Sequence, residues 1–154
     1  MKVLSILIVF SLFFVACNNK SDQPATDDDT TTVDQNIYSW QATLNDSTGK
    51  LEMKKVENAG PDTLSAAGVV TYLNTINSNV KLEFSKTSHD TIYINIPNAT
   101  YLTQQMGSTG PTMYFASVVY NLTDIPGINY VTFDFDEGDH ASPGTYSRNS
   151  FNDE

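Results

Sequence analysis

Three short segments with an apolar residue at every second position constrain this chain more than anything else in it. Val80, Leu82 and Phe84 alternate with Lys81, Glu83 and Ser85; Ile92, Ile94 and Ile96 alternate with Thr91, Tyr93 and Asn95; Val131, Phe133 and Phe135 alternate with Tyr130, Thr132 and Asp134. Successive side chains of a strand point to opposite faces, so each segment reads as a strand with one face in a core and the other in solvent. Lys86 to Asp90 separate the first two segments, a length suited to a hairpin. Tyr38, Trp40, Ala42 and Leu44 show the same alternation earlier, and Leu51 and Met53 resume it after the turn-forming run Asn45 to Gly49.

The segments between them follow a helical period. Pro61-Asp62 is expected to open a helix, with Asp62 capping exposed N–H groups, and Ala66, Val69, Val70, Leu73 and Ile76 forming its buried stripe. Asn77 to Asn79 end it. After Gly110-Pro111-Thr112, residues Phe115, Val118, Val119 and Leu122 stand at i, i+3, i+4 and i+7, and Ile125-Pro126-Gly127 stops this second helix. Helices set among runs of strands predict an α+β fold: a two-layer domain, a mostly antiparallel sheet with two helices packed on one face. With 154 residues and 40% apolar content the chain can fill one core. The domain is expected over 37–140, with a flexible C-terminal tail over 141–154.

The N-terminus has a different character. Lys2 precedes Val3 to Ala16, an apolar run broken only by Ser5 and Ser11. This is shorter than the ~20 residues of a membrane-spanning helix but suits a signal h-region. The run ends Phe14-Val15-Ala16-Cys17, which resembles the lipobox of bacterial lipoproteins, whose cysteine is acylated and becomes the new N-terminus. The resemblance implies a signal peptide over 1–16 and lipidation of Cys17, the only cysteine. Asn18 follows it; Asp there is the inner-membrane retention signal of enteric bacteria, so the same resemblance favours the outer membrane. Residues 17–36 are rich in Asp, Thr, Asn and Ser and include Asp27-Asp28-Asp29 and Thr30-Thr31-Thr32, a composition with too little apolar surface to offset the entropy of ordering. They read as a disordered tether spanning about 20–25 Å on average. A formal charge of −10 disfavours nucleic acid and anionic headgroups as partners.

The block Ser117-Val118-Val119-Tyr120-Asn121-Leu122-Thr123-Asp124-Ile125-Pro126-Gly127-Ile128-Asn129-Tyr130-Val131-Thr132-Phe133 resembles the closing motif of GerMN domains: an aliphatic helix, a Leu-Thr step, a Pro-Gly turn, and a strand ending in Asp-Gly. Here the strand ends Phe135-Asp136-Glu137-Gly138, one residue longer. Ile92 to Ile96 match the preceding strand, and Asp62 to Ile76 the family's first helix. The resemblance implies a non-catalytic module of spore-germination, sporulation or envelope proteins.

Chemistry-bearing patterns are sparse. The histidines, His89 and His140, each lie beside an Asp, but no nucleophile elbow, zinc motif, Walker loop or dinucleotide fingerprint is present. Asp134, Asp136, Glu137 and Asp139 lack the glycine and glutamate spacing of a calcium loop, and alternation sends Asp134 and Asp136 to the solvent side. No catalytic residue, cofactor or metal is therefore expected. If Ile92, Ile94, Val131 and Phe133 face the helices, then Tyr93, Asn95, Tyr130 and Thr132 face away and form the candidate partner face. The leading expectation is a non-enzymatic, lipid-anchored envelope module that binds a protein or cell-wall component. The alternative is a lipid-anchored carrier or receptor for a small ligand such as a sugar or peptide.

Overall fold

A computed structural model describes residues 37–152. The signal segment, Cys17 and the tether expected up to residue 36 lie outside the described residues, as do residues 153 and 154. The described chain opens with a hairpin of β1 (Tyr38–Leu44) and β2 (Leu51–Glu57). Asn45 shapes its turn, accepting the backbone N–H groups of Ser47 and Thr48 at 2.9 and 3.1 Å. Then come α1 (Ala66–Ile76), β3 (Glu83–Ser88), β4 (Thr91–Asn95), a π-helical turn (Tyr101–Gln105), α2 (Gly110–Leu122), β5 (Tyr130–Asp134), β6 (Gly144–Tyr146) and a 3-10 turn (Arg148–Phe151).

The hairpin is a sheet of its own, and the other strands form a four-stranded sheet in the order β3-β4-β5-β6. Pairing is antiparallel except between β4 and β5, which run parallel. Parallel neighbours need a crossover, and the π-helical turn with α2 supplies it. The architecture is α+β with mostly antiparallel pairing, as the periodicities predict. Ile92, Ile94, Val131 and Phe133 are buried together with Val69, Val70 and Leu73 of α1 and Phe115, Val118, Val119 and Leu122 of α2. The ring of Phe115 lies 4.8 Å from that of Phe133, within the range of favourable aromatic pairs.

Several expectations need correction. α1 does not start at Asp62: Ser65 is its N-cap, accepting the Gly68 N–H at 3.2 Å, so the cap lies one turn later. Val80 and Leu82 are buried as expected, but the ladder begins only at Glu83. The Asn74 amide occupies both backbone groups of Leu82, accepting its N–H at 2.7 Å and donating to its carbonyl at 2.8 Å. A bulge at Ser85 breaks the alternation, and Phe84 is 40% exposed instead of buried. β3 runs on to Ser88, leaving a tight turn in which His89 takes a left-handed φ of 55°.

The segment 141–154 is not a flexible tail within its described part. β6 pairs with β5, matching Val131 with Tyr146 and Phe133 with Gly144. Tyr146 stacks on Phe115 with centroids 5.2 Å apart, and buried Phe151 stacks on Tyr146 at 6.1 Å. Three strand residues and one turn are too short to show a period, so these aromatics gave no local signal. Position 138 is equally constrained: a Cβ there would stand 2.6 Å from the Thr103 Cβ of the π-helical turn, a contact only glycine avoids.

Candidate functional site

The parallel register of β4 and β5 brings the four expected residues together. Tyr93 lies opposite Thr132, Thr91 opposite Tyr130, and Asn95 opposite Asp134, while the intervening Ile92, Ile94, Val131 and Phe133 point into the core. Tyr93, Asn95 and Thr132 are half-buried by their neighbours, and Tyr130 is 43% exposed. The face extends beyond what alternation assigned. The Ser85 bulge sets Glu83 opposite Asn95 and Lys86 opposite Tyr93, so both charged side chains join it. Lys86 Nζ lies 4.8 Å from the Tyr93 ring centroid, a cation–π contact. The Thr132 and Thr145 hydroxyls are 2.8 Å apart across β5 and β6. Lys81 pairs with Glu83 at 2.9 Å, and this hydrogen bond and charge hold the Glu83 carboxyl below its ordinary range.

A second polar cluster, which the sequence did not reveal, fastens the hairpin to α2 and the C-terminal turn. Asp124, just past α2, accepts hydrogen bonds from the Tyr38 hydroxyl, from Trp40 Nε1 at 3.3 Å and from Arg148 at 3.0 Å. Arg148 also donates to Thr123 Oγ1 at 2.8 Å and to the Tyr120 carbonyl at 3.0 Å, and its guanidinium carbon lies 4.8 Å from the Tyr120 ring centroid. Lys55 sits over the Tyr38 ring at 3.4 Å. Burial works to raise the Asp124 pKa, but hydrogen bonds from Tyr38, Arg148 and Trp40 outweigh it, and the carboxyl titrates below its ordinary value. The hydrogen bond to Asp124, aided by burial, raises the Tyr38 hydroxyl.

One edge of β1 is held by α2 through side chains. Asn121 accepts the Trp40 N–H at 2.9 Å and donates to the Trp40 carbonyl at 2.7 Å, and Ser117 accepts the Ala42 N–H at 2.9 Å. Beside this seam a cleft of about 400 Å³ opens between the hairpin, α1 and the first half of α2. Trp40, Val56, Tyr72, Ile76, Met113 and Tyr114 contribute to its walls, and none of its lining residues is charged. Ser39, only 4% exposed, meets the Tyr72 hydroxyl there at 3.0 Å.

Other chemistry-bearing residues do not converge. His89 Nδ1 lies 3.2 Å from Ser88 Oγ on an exposed turn, whereas Asp90 accepts from Thr91 and Asn129. His140 lies in an exposed loop, its backbone N–H bonded to the Thr103 carbonyl at 3.1 Å. Among the described residues no three His, Cys, Asp or Glu side chains gather as a metal-holding group, Asp134, Asp136, Glu137 and Asp139 included. No described helix is long and apolar enough to cross a membrane.

A family model described as Germane, sporulation and spore germination, matches residues 12–139. The chain belongs to the Germane family. Among solved structures, this Germane chain is similar to the tandem GerMN domains of the sporulation protein GerM from Bacillus subtilis, with 14% identity and a TM-score of 0.44 over 73% of the chain. It spans 46% of that structure, about half its length. No curated protein matches the sequence.

Proposed function

We propose that this Germane chain is a non-enzymatic envelope lipoprotein, held to a membrane by acyl chains on Cys17, that binds a protein or cell-wall component through the outward face of its four-stranded sheet. The observation that carries the reading is the register of β4 and β5, which gathers Tyr93, Asn95, Tyr130 and Thr132 on the side opposite the buried Ile92, Ile94, Val131 and Phe133. Tyrosine offers contact area with little side-chain entropy to lose and is enriched at the energetic centres of interfaces. The test is Tyr93→Ser with Tyr130→Ser. Neither side chain faces the core, so the melting temperature should stay within a few degrees while co-sedimentation with isolated cell walls, or crosslinking to an envelope protein from position 95, is lost. Full retention of both in the folded variant would sink the reading. The anchor is checked separately, because fatty-acid labelling must disappear in Cys17→Ser.

The cleft supports a second reading, a carrier of a small neutral ligand. Its volume lies within the range of small-molecule sites. Trp40, the only tryptophan, contributes to its wall, so titration of intrinsic fluorescence reports occupancy directly.

A further inference from the structure

Among the described residues, one strand edge of the hairpin is unused. Trp40 and Ala42 direct their backbone groups at α2, so β1 uses its alternate residues to pair with β2. The antiparallel register then fixes the other strand: Glu52, Lys54 and Val56 bond to β1, while Leu51, Met53, Lys55 and Glu57 point their N–H and carbonyl groups outward. Among the described residues, no hydrogen bond is recorded to those outward groups. In the four-stranded sheet the Asn74 amide occupies both backbone groups of Leu82, the residue just before β3 begins.

We propose that β2 pairs antiparallel with β2 of a second copy of this chain, joining two hairpins into one four-stranded sheet across a twofold axis. The charges on β2 select the register. A twofold axis normal to the sheet keeps side chains on their own face, so only residues of the same parity can stand opposite each other. With Met53 opposite Met53 of the second copy, Glu52 stands opposite Lys54 and Lys54 opposite Glu52, giving two cross-strand pairs of opposite charge. A shift by two residues in one direction sets Glu52 against Glu52, and in the other Lys54 against Lys54. Like charges directly opposite destabilise a sheet pair, so both neighbouring registers are disfavoured. Glu52 and Lys54 are both exposed and available for this pairing. The same strand carries Met53 and Leu51, half-buried against the core, so the joined edge would continue an apolar surface.

The full chain in detergent, studied by light scattering with size-exclusion chromatography, is expected to show a concentration-dependent mass of two copies. Lys54→Glu or Glu52→Lys alone should weaken the dimer about tenfold or more, since each turns two attractive pairs into repulsive ones. The double swap, Glu52→Lys with Lys54→Glu, should restore it. In a Cys17→Ser background, Met53→Cys should form a disulfide-linked dimer under mild oxidation, because directly opposed residues in such a ladder have Cα atoms about 5.5 Å apart, within disulfide reach. Near-ultraviolet circular dichroism checks that every variant is folded. A monomer at all concentrations overturns the proposal and leaves the lysines as guards of a solitary edge. A dimer insensitive to the charge variants, or one that Met53→Cys fails to trap, also overturns it by placing the contact elsewhere.

Discussion

Asn74 and Asn121 do similar work in two places. Each lies on a helix and offers its side-chain amide to the backbone of one residue, Leu82 just before β3 or Trp40 within β1, accepting from the N–H and donating to the carbonyl. Asn121 is 4% exposed, and Asn121→Ala would leave the part-buried N–H and carbonyl of Trp40 in β1 without these partners. The expected cost is about 1–3 kcal/mol, with Asn121→Asp also destabilising because it loses the donor to the Trp40 carbonyl. Urea denaturation at neutral pH measures both. Neither asparagine was legible as a staple from sequence. Asn121 sits beside the apolar stripe of α2, and its partner is 81 positions away. By contrast, the outward placement of Tyr93, Asn95, Tyr130 and Thr132 was legible, because alternation is local and needs no knowledge of the partner strand.

The elements differ in how well their ends could be anticipated. α2 carries its own stop and start chemistry, and the turn after it contains Gly127 at a φ of 82°, so the Pro126-Gly127 signal was sufficient. β6 and the turn after it had no such signal, since their stability comes from Phe115, Phe133 and Asp124 rather than from their own sequence. Their weight in the fold can be measured. A chain ending at His140 loses the Tyr146 and Phe151 rings from the core and Arg148 from Asp124. Truncating a flexible tail would change stability little; here the truncated chain should lose several kcal/mol, given about 3–5 kcal/mol for removing one buried aromatic side chain. Thermal and urea melts of the two chains side by side decide between these outcomes.

Across the domain, stability should hold over a broad neutral plateau and fall at both ends of the pH scale. Asp124 titrates lower in the folded chain than its ordinary 3.8. Its contribution is therefore full above that value and is lost as pH falls through the folded pKa. Tyr38 is raised by its bond to Asp124, and Tyr114 and Tyr146 by burial, all from an ordinary 10.0. Their contributions are full below pH 10.0 and decline as pH rises toward the folded values. Chemical denaturation across this range should show both flanks, and Tyr38→Phe should shrink the acid flank because it removes one of the bonds that depress Asp124. An Asp124→Asn variant with an unchanged acid flank would contradict the assignment.

The manner in which β1 is fastened has a mechanical consequence. The chain reaches the described domain at Ile37, one residue before β1, so a pull on its N-terminal side arrives first at that strand. Beyond its own hairpin β1 is joined to the body by the side chains of Asn121, Ser117, Asp124 and Tyr72 and by the burial of Ala42, and among the described strands it forms no ladder with the four-stranded sheet. Under tension these few bonds bear the load one after another, whereas the larger sheet and its helices lie farther along the chain and are strained only after the hairpin gives way. Pulled from its N-terminal side, the domain is therefore expected to yield first where the hairpin meets α2, which force spectroscopy would show as a small extension before the main unfolding event.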